Sequence, residues 1–468
     1  MIKLTGKNIL VVGLGMTGAA VARFLKHQGA VVTVTDHIKE EKLGSIVASL
    51  RAEGIQMELG IHQSTTFEGA DLIVLSPGVS HNILPVKAAK KKGIPVWGEI
   101  ELASRFIHEP VVAITGTNGK TTTTRLLGDM LTYSGLRVFL GGNIGNPLIN
   151  YADQGKTADV IVVEVSSFQL DTIETFRPKV GVLLNITEDH LGRYPDFDDY
   201  AEAKIRLFKN QRKDDVAVLN GADPVILRFS KNIQGKKLFF NTSAEADASA
   251  VIVHKQIRIQ VNEVFSEKAA NQNSEIDRQK AIDISVPELN GNHNMENAAA
   301  ACLGALAAGG NLKGVETAIN RFKGLPHRLD YVDTVEGVSY YNDSKATNVG
   351  AVIRALETFD RPVILIMGGQ SKGGSYEPLK KPVGRHVKTL IAIGEAKDEI
   401  LSVLGHACGN CESAGSMEDA ILEAYRISAP GDVVLLSPAC ASFDMYSSYA
   451  QRGESFCNAV KKLRNYDQ

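Results

Sequence analysis

Cysteine is scarce in this chain: five among 468 residues, an odd number that argues against a disulfide framework. Cys408-Gly409-Asn410-Cys411 has metal-ligand spacing, but no second close pair follows it, so two ordinary thiols near a turn are expected. Long apolar runs are missing too. The longest near-apolar stretch, 298–308, is Ala-rich and well short of the ~20 residues that cross a bilayer, which excludes a membrane span there. The first seven residues, Met1-Ile2-Lys3-Leu4-Thr5-Gly6-Lys7, run into a strand without the apolar core of a signal peptide, and a cytoplasmic location is expected. Excess charge of either sign is absent. At a net charge of −2, the composition gives no reason to expect nucleic-acid or membrane partners.

What is present is an ordinary globular composition, 44% hydrophobic and 22% charged, in a chain too long for one core. Apolar runs alternating with helical patterns divide it into three α/β blocks. The first has strands over 8–12, 31–35 and 71–75, a helix over 19–27, and closes near Glu109-Pro110. The second has strands over 111–114, 160–163 and 180–184 and a helix over about 198–208. A polar tract at 230–286 reads as hairpins with one mobile loop, and 297–308 as a small-residue helix. The third has strands over 363–367, 389–393 and 433–436. Parallel sheets covered by helices, with ligands at the carboxyl edges of the strands, are expected in each.

The most specific signal is Val111-Val112-Ala113-Ile114-Thr115-Gly116-Thr117-Asn118-Gly119-Lys120-Thr121. An apolar strand, a glycine loop ending in Gly-Lys-Thr and a helix aim backbone N–H groups and the positive end of a helix at one spot, which suits a polyphosphate. Lys120 adds a point charge, and the Thr121 hydroxyl is placed to ligate Mg²⁺. Only Thr117 and Asn118 separate Gly116 from Gly119, fewer than in the common loop; a bland Gly-Asn-Gly turn is the plain alternative. Glu164 ends a strand and reads as a Mg²⁺ acid. His190 follows the next strand end as a candidate second metal ligand, the alternative being a structural histidine. Lys204 lies on a helix, where a solvated lysine is the ordinary reading. No Asn-Lys-x-Asp motif appears, which favours ATP over GTP.

Two other sets carry chemistry. Gly13-Leu14-Gly15-Met16-Thr17-Gly18 followed by Asp36 matches a dinucleotide fingerprint and alone suggests an NAD-dependent oxidoreductase. Physically it provides a helix N-terminus for a diphosphate and an acid for a sugar hydroxyl or base edge, which a UDP-sugar could use equally. In the third block, Asn342-Asp343-Ser344-Lys345-Ala346-Thr347-Asn348, Gly368-Gly369-Gln370-Ser371-Lys372 and Ser437-Pro438-Ala439-Cys440-Ala441-Ser442 each follow a strand. Cations and hydroxyls from separate strand ends suit a small, multiply carboxylated substrate; otherwise Lys345 and Lys372 are solvated loop charges. A nucleotide-sensing regulator would need only the central loop and a switch.

These motifs together resemble the Mur ligases, ATP-dependent enzymes that add amino acids to the peptidoglycan precursor. The shared segments are Thr115 to Thr121, Glu164-Val165-Ser166-Ser167-Phe168-Gln169-Leu170, Asn185-x-x-x-Asp189-His190, Gly291-Asn292-His293-Asn294-Met295-Glu296-Asn297-Ala298 and Leu325-Pro326-His327-Arg328. Gly141-Gly142-Asn143-Ile144-Gly145, Ser344-Lys345-Ala346-Thr347-Asn348 and the Ser437 segment resemble the branch that adds D-glutamate. The resemblance implies three domains: a Rossmann-like one for the UDP substrate (1–109), a P-loop-type ATP domain with a mostly parallel sheet (110–311) and a Rossmann-like amino-acid domain (312–468).

It also implies roles. Gly15, Met16, Thr17, Asp36, Ser76, Pro77 and Gly78 would hold the UDP part of UDP-N-acetylmuramoyl-L-alanine, with Asn143 and His190 at its muramoyl-alanine end. Gly116, Thr117, Asn118, Gly119, Lys120, Thr121 and Thr122 would grip ATP phosphates, with Asn294, Asn297, Arg328 and Asp343 toward adenosine and ribose. Thr121, Glu164, His190 and a carbamylated Lys204 would hold two Mg²⁺ ions, with Lys120, Glu164, His190 and Lys204 as the catalytic set. Lys345, Thr347, Lys372, Ser442, Phe443 and Tyr449 would line the D-glutamate pocket. A monomer is expected.

Overall fold

A computed structural model describes residues 2–143, 145–155, 157–189, 192–241, 249–260, 279–286, 289 and 291–464. Three sheets carry the α/β architecture. In the first, β1 (Asn8–Val12), β2 (Val31–Asp36), β3 (Gln56–Leu59), β4 (Leu72–Leu75) and β5 (Val96–Gly98) are all parallel, in the order β3-β2-β1-β4-β5. The central strands β1 and β4 are near-continuous apolar runs, because crossover helices bury both faces of a parallel sheet. Ile9, Leu10, Val11 and Val12 are almost wholly buried. The order reverses beside β1, and the crevice outside such a switch point is where ligands enter a doubly wound sheet. The first helix, Met16–His27, starts earlier than the expected 19–27, directly from the glycine loop. Gly18 permits that start: a Cβ there would lie 1.9 Å from the Gly13 carbonyl oxygen.

The second sheet is the largest, in the order β14-β13-β12-β11-β10-β9-β6-β8-β7. Its parallel body comprises β6 (Val111–Thr115), β7 (Val138–Gly142), β8 (Val160–Glu164), β9 (Val180–Leu183), β10 (Val216–Asn220), β11 (Lys236–Asn241) and β12 (Ala250–Val253). β13 (Gln256–Gln260) and β14 (Gln279–Asp283) extend it antiparallel, as the alternation in the polar tract anticipated. The mobile loop expected within that tract lies mostly outside the described residues. The helix expected over 198–208 is an α-helix at Phe197–Ile205 continued by a 3₁₀ turn at Arg206–Phe208. The small-residue helix spans Asn292–Ala307.

The third sheet runs β15 (Asp330–Val335), β16 (Val338–Asn342), β20 (Val433–Leu436), β17 (Val363–Gly368), β18 (Val387–Ile393) and β19 (Asn410–Ser413); all pairs are parallel except β15 with β16. Two buried clusters cover its faces. The expectation of separate thiols at Cys408 and Cys411 is corrected: the turn leading into β19 brings the two sulfurs into disulfide contact, with Cα atoms 6.9 Å apart. Cys440 packs in the core, its sulfur 3.1 Å from the Tyr376 hydroxyl.

The chain forms two compact units. One holds the first two sheets (Met1–Ile186, Asp198–Ser285, Met295–Arg321); the other holds the third (Thr187–Phe197, Val286–Asn294, Phe322–Gln468). No described helix is long and apolar enough to cross a membrane.

Candidate active site

The phosphate loop is built as its residues require. β6 ends at Thr115, and the helix Lys120–Tyr133 begins from Gly119, whose φ of +84° lies in the left-handed region. A Cβ on Gly119 would also approach Asn297 Oδ1 to 2.2 Å, so glycine is demanded twice, and Asn297 is brought against the loop. Asn185, at the end of the neighbouring strand, braces the loop from the other side. Its carbonyl accepts from Thr117 N–H (2.9 Å), its Oδ1 from Asn118 N–H (2.8 Å), and its Nδ2 donates to the Asn118 carbonyl (3.1 Å). The Thr117 hydroxyl meets the Tyr200 hydroxyl at 3.1 Å.

Two lysines converge on one oxygen. Lys120 Nζ donates to the carbonyls of Gly116 and Thr117, both at 2.8 Å, and Lys204 Nζ donates to the same Gly116 carbonyl at 2.9 Å. Lys204 is not the solvated lysine of the ordinary reading. It is 2% exposed, with Nζ 4.6 Å from the centre of the Tyr200 ring. Two cations crowded at a buried loop make a place for negative charge.

Beside them stands an oxygen set. Glu164, at the end of β8, is buried; its Oε2 accepts from the Thr121 hydroxyl (2.8 Å) and its Oε1 from Asn143 Nδ2 (3.0 Å). The Ser166–Gln169 capping box turns the chain immediately after it. A hydroxyl and a carboxylate already within hydrogen-bond reach beside a phosphate cradle form the hard-oxygen environment that Mg²⁺ takes, so these residues fit the ion. Among the described residues no three His, Cys, Asp or Glu side chains cluster as a complete metal cage. His190 lies outside the described residues. Thr122 is buried in the first turn of the helix behind the loop.

In the same unit, a cavity of about 790 Å³ is lined by Gly15, Met16, Thr17, Asp36, Ser76, Pro77, Gly78 and Asn143, among others. These are all the residues expected to hold the UDP substrate apart from His190. The helix Met16–His27 opens on the cavity with no side-chain cap, leaving its first N–H groups for an anion. The Asp36 carboxylate is already engaged: Oδ2 accepts from Leu14 N–H (2.6 Å) and Oδ1 from Ile38 N–H (2.8 Å). It therefore shapes the glycine loop as well as facing the cavity, and Ser76 Oγ ties the loop down through the Gly13 carbonyl at 2.8 Å.

The second unit gathers the remaining candidates. Thr347 and Lys372 line a cavity of about 240 Å³, and Lys372 Nζ donates to Thr347 Oγ1 at 3.2 Å. Lys345, Ser442, Phe443 and Tyr449 are not among that cavity's walls. Lys345 Nζ instead donates to the Tyr449 hydroxyl (3.1 Å); Ser442 is buried and Phe443 exposed. Asp343 is turned inward, accepting from Ser437 Oγ (2.9 Å) and Leu329 N–H (3.3 Å), and burial pushes its carboxyl up to about 7. Asn294 N–H donates to the Gly291 carbonyl (3.0 Å) at the start of its helix. Arg328 also belongs to this unit, and desolvation, with the positive charges of Arg354 and Arg328, holds His293 down at about 4.

Two residues were missed from sequence. Arg452 is 1% exposed and fastens three strand-end loops. Its Nε and Nη2 donate to Ser344 Oγ (3.0 Å) and the Ser344 carbonyl (2.9 Å), Nη1 to the carbonyls of Gly368 (3.3 Å) and Ala441 (3.2 Å), and Nη2 to that of Cys440 (3.1 Å). The available signal was an arginine at helical spacing with Phe456, Val460 and Leu463 on a buried face. Glu99 is the other: 1% exposed, it accepts Ile149 N–H (2.7 Å) at the start of the helix Leu148–Gln154.

Three family models match: the Mur ligase MurD-like N-terminal domain over residues 7–98, the Mur ligase middle domain over 114–305, and the Mur ligase glutamate ligase domain over 327–440. A UDP-N-acetylmuramoylalanine--D-glutamate ligase from Desulfosudis oleivorans is 51% identical, covering 100% of this chain and 98% of its own length. The enzyme of that name from Geotalea daltonii is 46% identical over 99% of both chains. Among solved structures, a pseudomurein peptide ligase type C from Methanothermus fervidus has a TM-score of 0.61 at 22% identity, covering 98% of this chain and 100% of that one. MurF ligase from Thermotoga maritima, in complex with ADP, has a TM-score of 0.59 at 16% identity over 100% and 97%; both structures share the fold. With all three domain models matched and relatives this similar along its whole length, the chain belongs to the Mur ligase family.

Proposed function

We propose that this chain uses ATP to join D-glutamate to UDP-N-acetylmuramoyl-L-alanine, releasing ADP and phosphate, as a cytoplasmic monomer in peptidoglycan precursor synthesis. The observation that carries the reading is whole-length identity of 46–51% to relatives of that named activity. It is supported by the juxtaposition of a phosphate loop, two converging lysines and the Glu164–Thr121 pair. The proposed domains are 1–109 for the UDP substrate, 110–311 for ATP and 312–468 for the amino acid. The oxidoreductase reading of the first glycine loop loses its ground in a chain of this family. The 790 Å³ cavity suits a UDP-sugar instead.

An amide forms from a carboxylate only after activation. The L-alanine carboxylate oxygen attacks the γ-phosphorus of ATP, the bond to the β-γ bridging oxygen breaks, and ADP leaves. The D-glutamate amine then attacks the acyl carbon and phosphate departs with the former carboxylate oxygen. The first step presses like charges together, so this chain's task is charge neutralisation more than proton traffic. Lys120 turns from its loop carbonyls to the phosphates, and the loop N–H groups hold them. Thr121, Glu164, His190 and a carbamylated Lys204 are the proposed ligands of two Mg²⁺ ions, which supply positive charge to the crowded oxygens when bound. A carbamate on Lys204 converts the second of two crowded cations into an anion, relieving the contact at Gly116 O. Asn294, Asn297, Arg328 and Asp343 are proposed toward adenosine. Lys345, Thr347, Lys372, Ser442, Phe443 and Tyr449 are proposed toward D-glutamate, and Gly15, Met16, Thr17, Asp36, Ser76, Pro77, Gly78 and Asn143 toward the UDP substrate.

The experiment is phosphate release measured with each substrate omitted in turn. Release is expected only when ATP, UDP-N-acetylmuramoyl-L-alanine and D-glutamate are all present. Equal release without D-glutamate would sink the reading.

A further inference from the structure

We propose that the third sheet carries a second ligand site at its amino edge: a cationic cavity that binds a phosphate group, free or on a small organic ester. The cavity holds about 430 Å³ and lies where β17 and β18 begin, at the other end of β17 from Gly368 and the loop of Lys372. Arg361 reaches it from the turn before β17, Arg385 from the last turn of the helix Lys380–His386, and Lys388 from β18. None of the residues proposed for ATP, the UDP substrate or D-glutamate lines it.

The basic groups on this wall differ in how far they are committed. Lys388 Nζ donates to Asp432 Oδ2 at 2.7 Å, so its charge is already answered. His386 Nδ1 donates to the Phe359 carbonyl at 3.2 Å. Arg361 Nη1 reaches the Ser339 hydroxyl at 3.5 Å, the limit of a hydrogen bond. Neither Arg361 nor Arg385 has an ion pair among the described residues, and both are exposed. Asp360 is the single carboxylate on the wall, likewise exposed, so two guanidinium groups outnumber it. The partial negative charge at the end of the helix Lys380–His386 accounts for Arg385 and His386 there, but not for Arg361, which arrives on a separate segment. One guanidinium fork satisfies a carboxylate. A phosphate brings nearly two negative charges and three acceptor oxygens, enough to engage both arginines. The cavity is of the size that holds a small molecule, and Pro362 and Val387 give an attached carbon skeleton an apolar wall.

The test is calorimetric titration of the full chain with inorganic phosphate and with glucose 6-phosphate, glucose and succinate serving as controls. UDP-N-acetylmuramoyl-L-alanine, D-glutamate, Mg²⁺ and a non-hydrolysable ATP analogue are present at saturation, so that the candidate active site is already filled. At least one phosphate probe is expected to bind with a Kd of about 1 mM or below, the tighter of the two naming the source. Glucose and succinate are expected to bind at least roughly tenfold more weakly. Arg361→Gln and Arg385→Gln should each weaken the phosphate probe roughly ten- to hundredfold, the loss of hydrogen bonding between charged groups. Arg385→Lys, which keeps the charge without the fork, should fall between. Phosphate release in the substrate assay is expected to be unchanged in all three variants, which separates loss of this site from loss of the fold. Absence of binding by both phosphate probes, equal affinity for succinate, or full affinity in both glutamine variants would each overturn the assignment.

Discussion

Glu99 gives the sharpest stability prediction. It sits at the end of β5, fully buried, and accepts N–H bonds from Ile149 and Leu148 at the start of the helix Leu148–Gln154. Its second oxygen, Oε2, has no hydrogen-bond partner among the described residues. Burial pushes the carboxyl from its ordinary 4.5 up to about 7, against the opposing pull of the two N–H groups. The folded state thus holds the proton more tightly than the unfolded chain. The resulting stabilisation is complete below pH 4.5 and is lost as pH rises through about 7, a swing of about 3 kcal/mol. Glu99→Gln keeps an acceptor for the helix N-terminus and removes the titration. The assay is urea unfolding at pH 5 and pH 8, followed by the fluorescence of Trp97, the chain's sole tryptophan, which is buried two residues from Glu99. The wild-type protein is expected to lose about 2.5 kcal/mol more than Glu99→Gln between the two pH values. Identical pH dependence in the two proteins would refute the reasoning.

Lys120→Ala and Glu164→Ala are each expected to lower kcat on the order of 10²–10⁴-fold in the phosphate-release assay. Lys204→Ala should be nearly inactive and partly rescued by a short carboxylic acid, which returns the lost negative charge; a free amine at Lys204 in active, Mg²⁺-loaded protein, seen by mass spectrometry, would remove the carbamate. Arg452→Met strips donors from the carbonyls of Ser344, Gly368, Cys440 and Ala441. It should cost about 3–5 kcal/mol in calorimetric unfolding of the second unit and raise KM for D-glutamate. Gly119→Ala, at φ +84° and against Asn297, should abolish ATP binding by calorimetry while leaving the UDP substrate's affinity intact.

Much of the fold was legible because parallel strands announce themselves: 9–12, 160–163 and 433–436 are unbroken apolar runs buried on both faces. The phosphate loop was legible because glycine, lysine and threonine follow such a run at fixed spacing. β15 and β19 left little trace, since Asp330–Val335 and Asn410–Ser413 are edge strands with partly exposed, polar residues. Lys204 read as a surface lysine from its helix alone; its burial beside Gly116 comes from packing between elements 88 residues apart. Glu99 and Arg452 were silent for the same reason. A charged residue gives no local sign that distant carbonyls or N–H groups will enclose it. Asp36 was assigned to a ligand by its spacing, whereas both of its oxygens also hold backbone N–H groups.

The route of one oxygen atom tests the central chemical claim most directly. If the L-alanine carboxylate attacks the γ-phosphorus, UDP-N-acetylmuramoyl-L-alanine labelled with ¹⁸O in that carboxylate should deliver one labelled oxygen to the released phosphate, read by mass spectrometry in the presence of ATP and D-glutamate. Phosphate released without label, alongside normal amide product, would contradict the account.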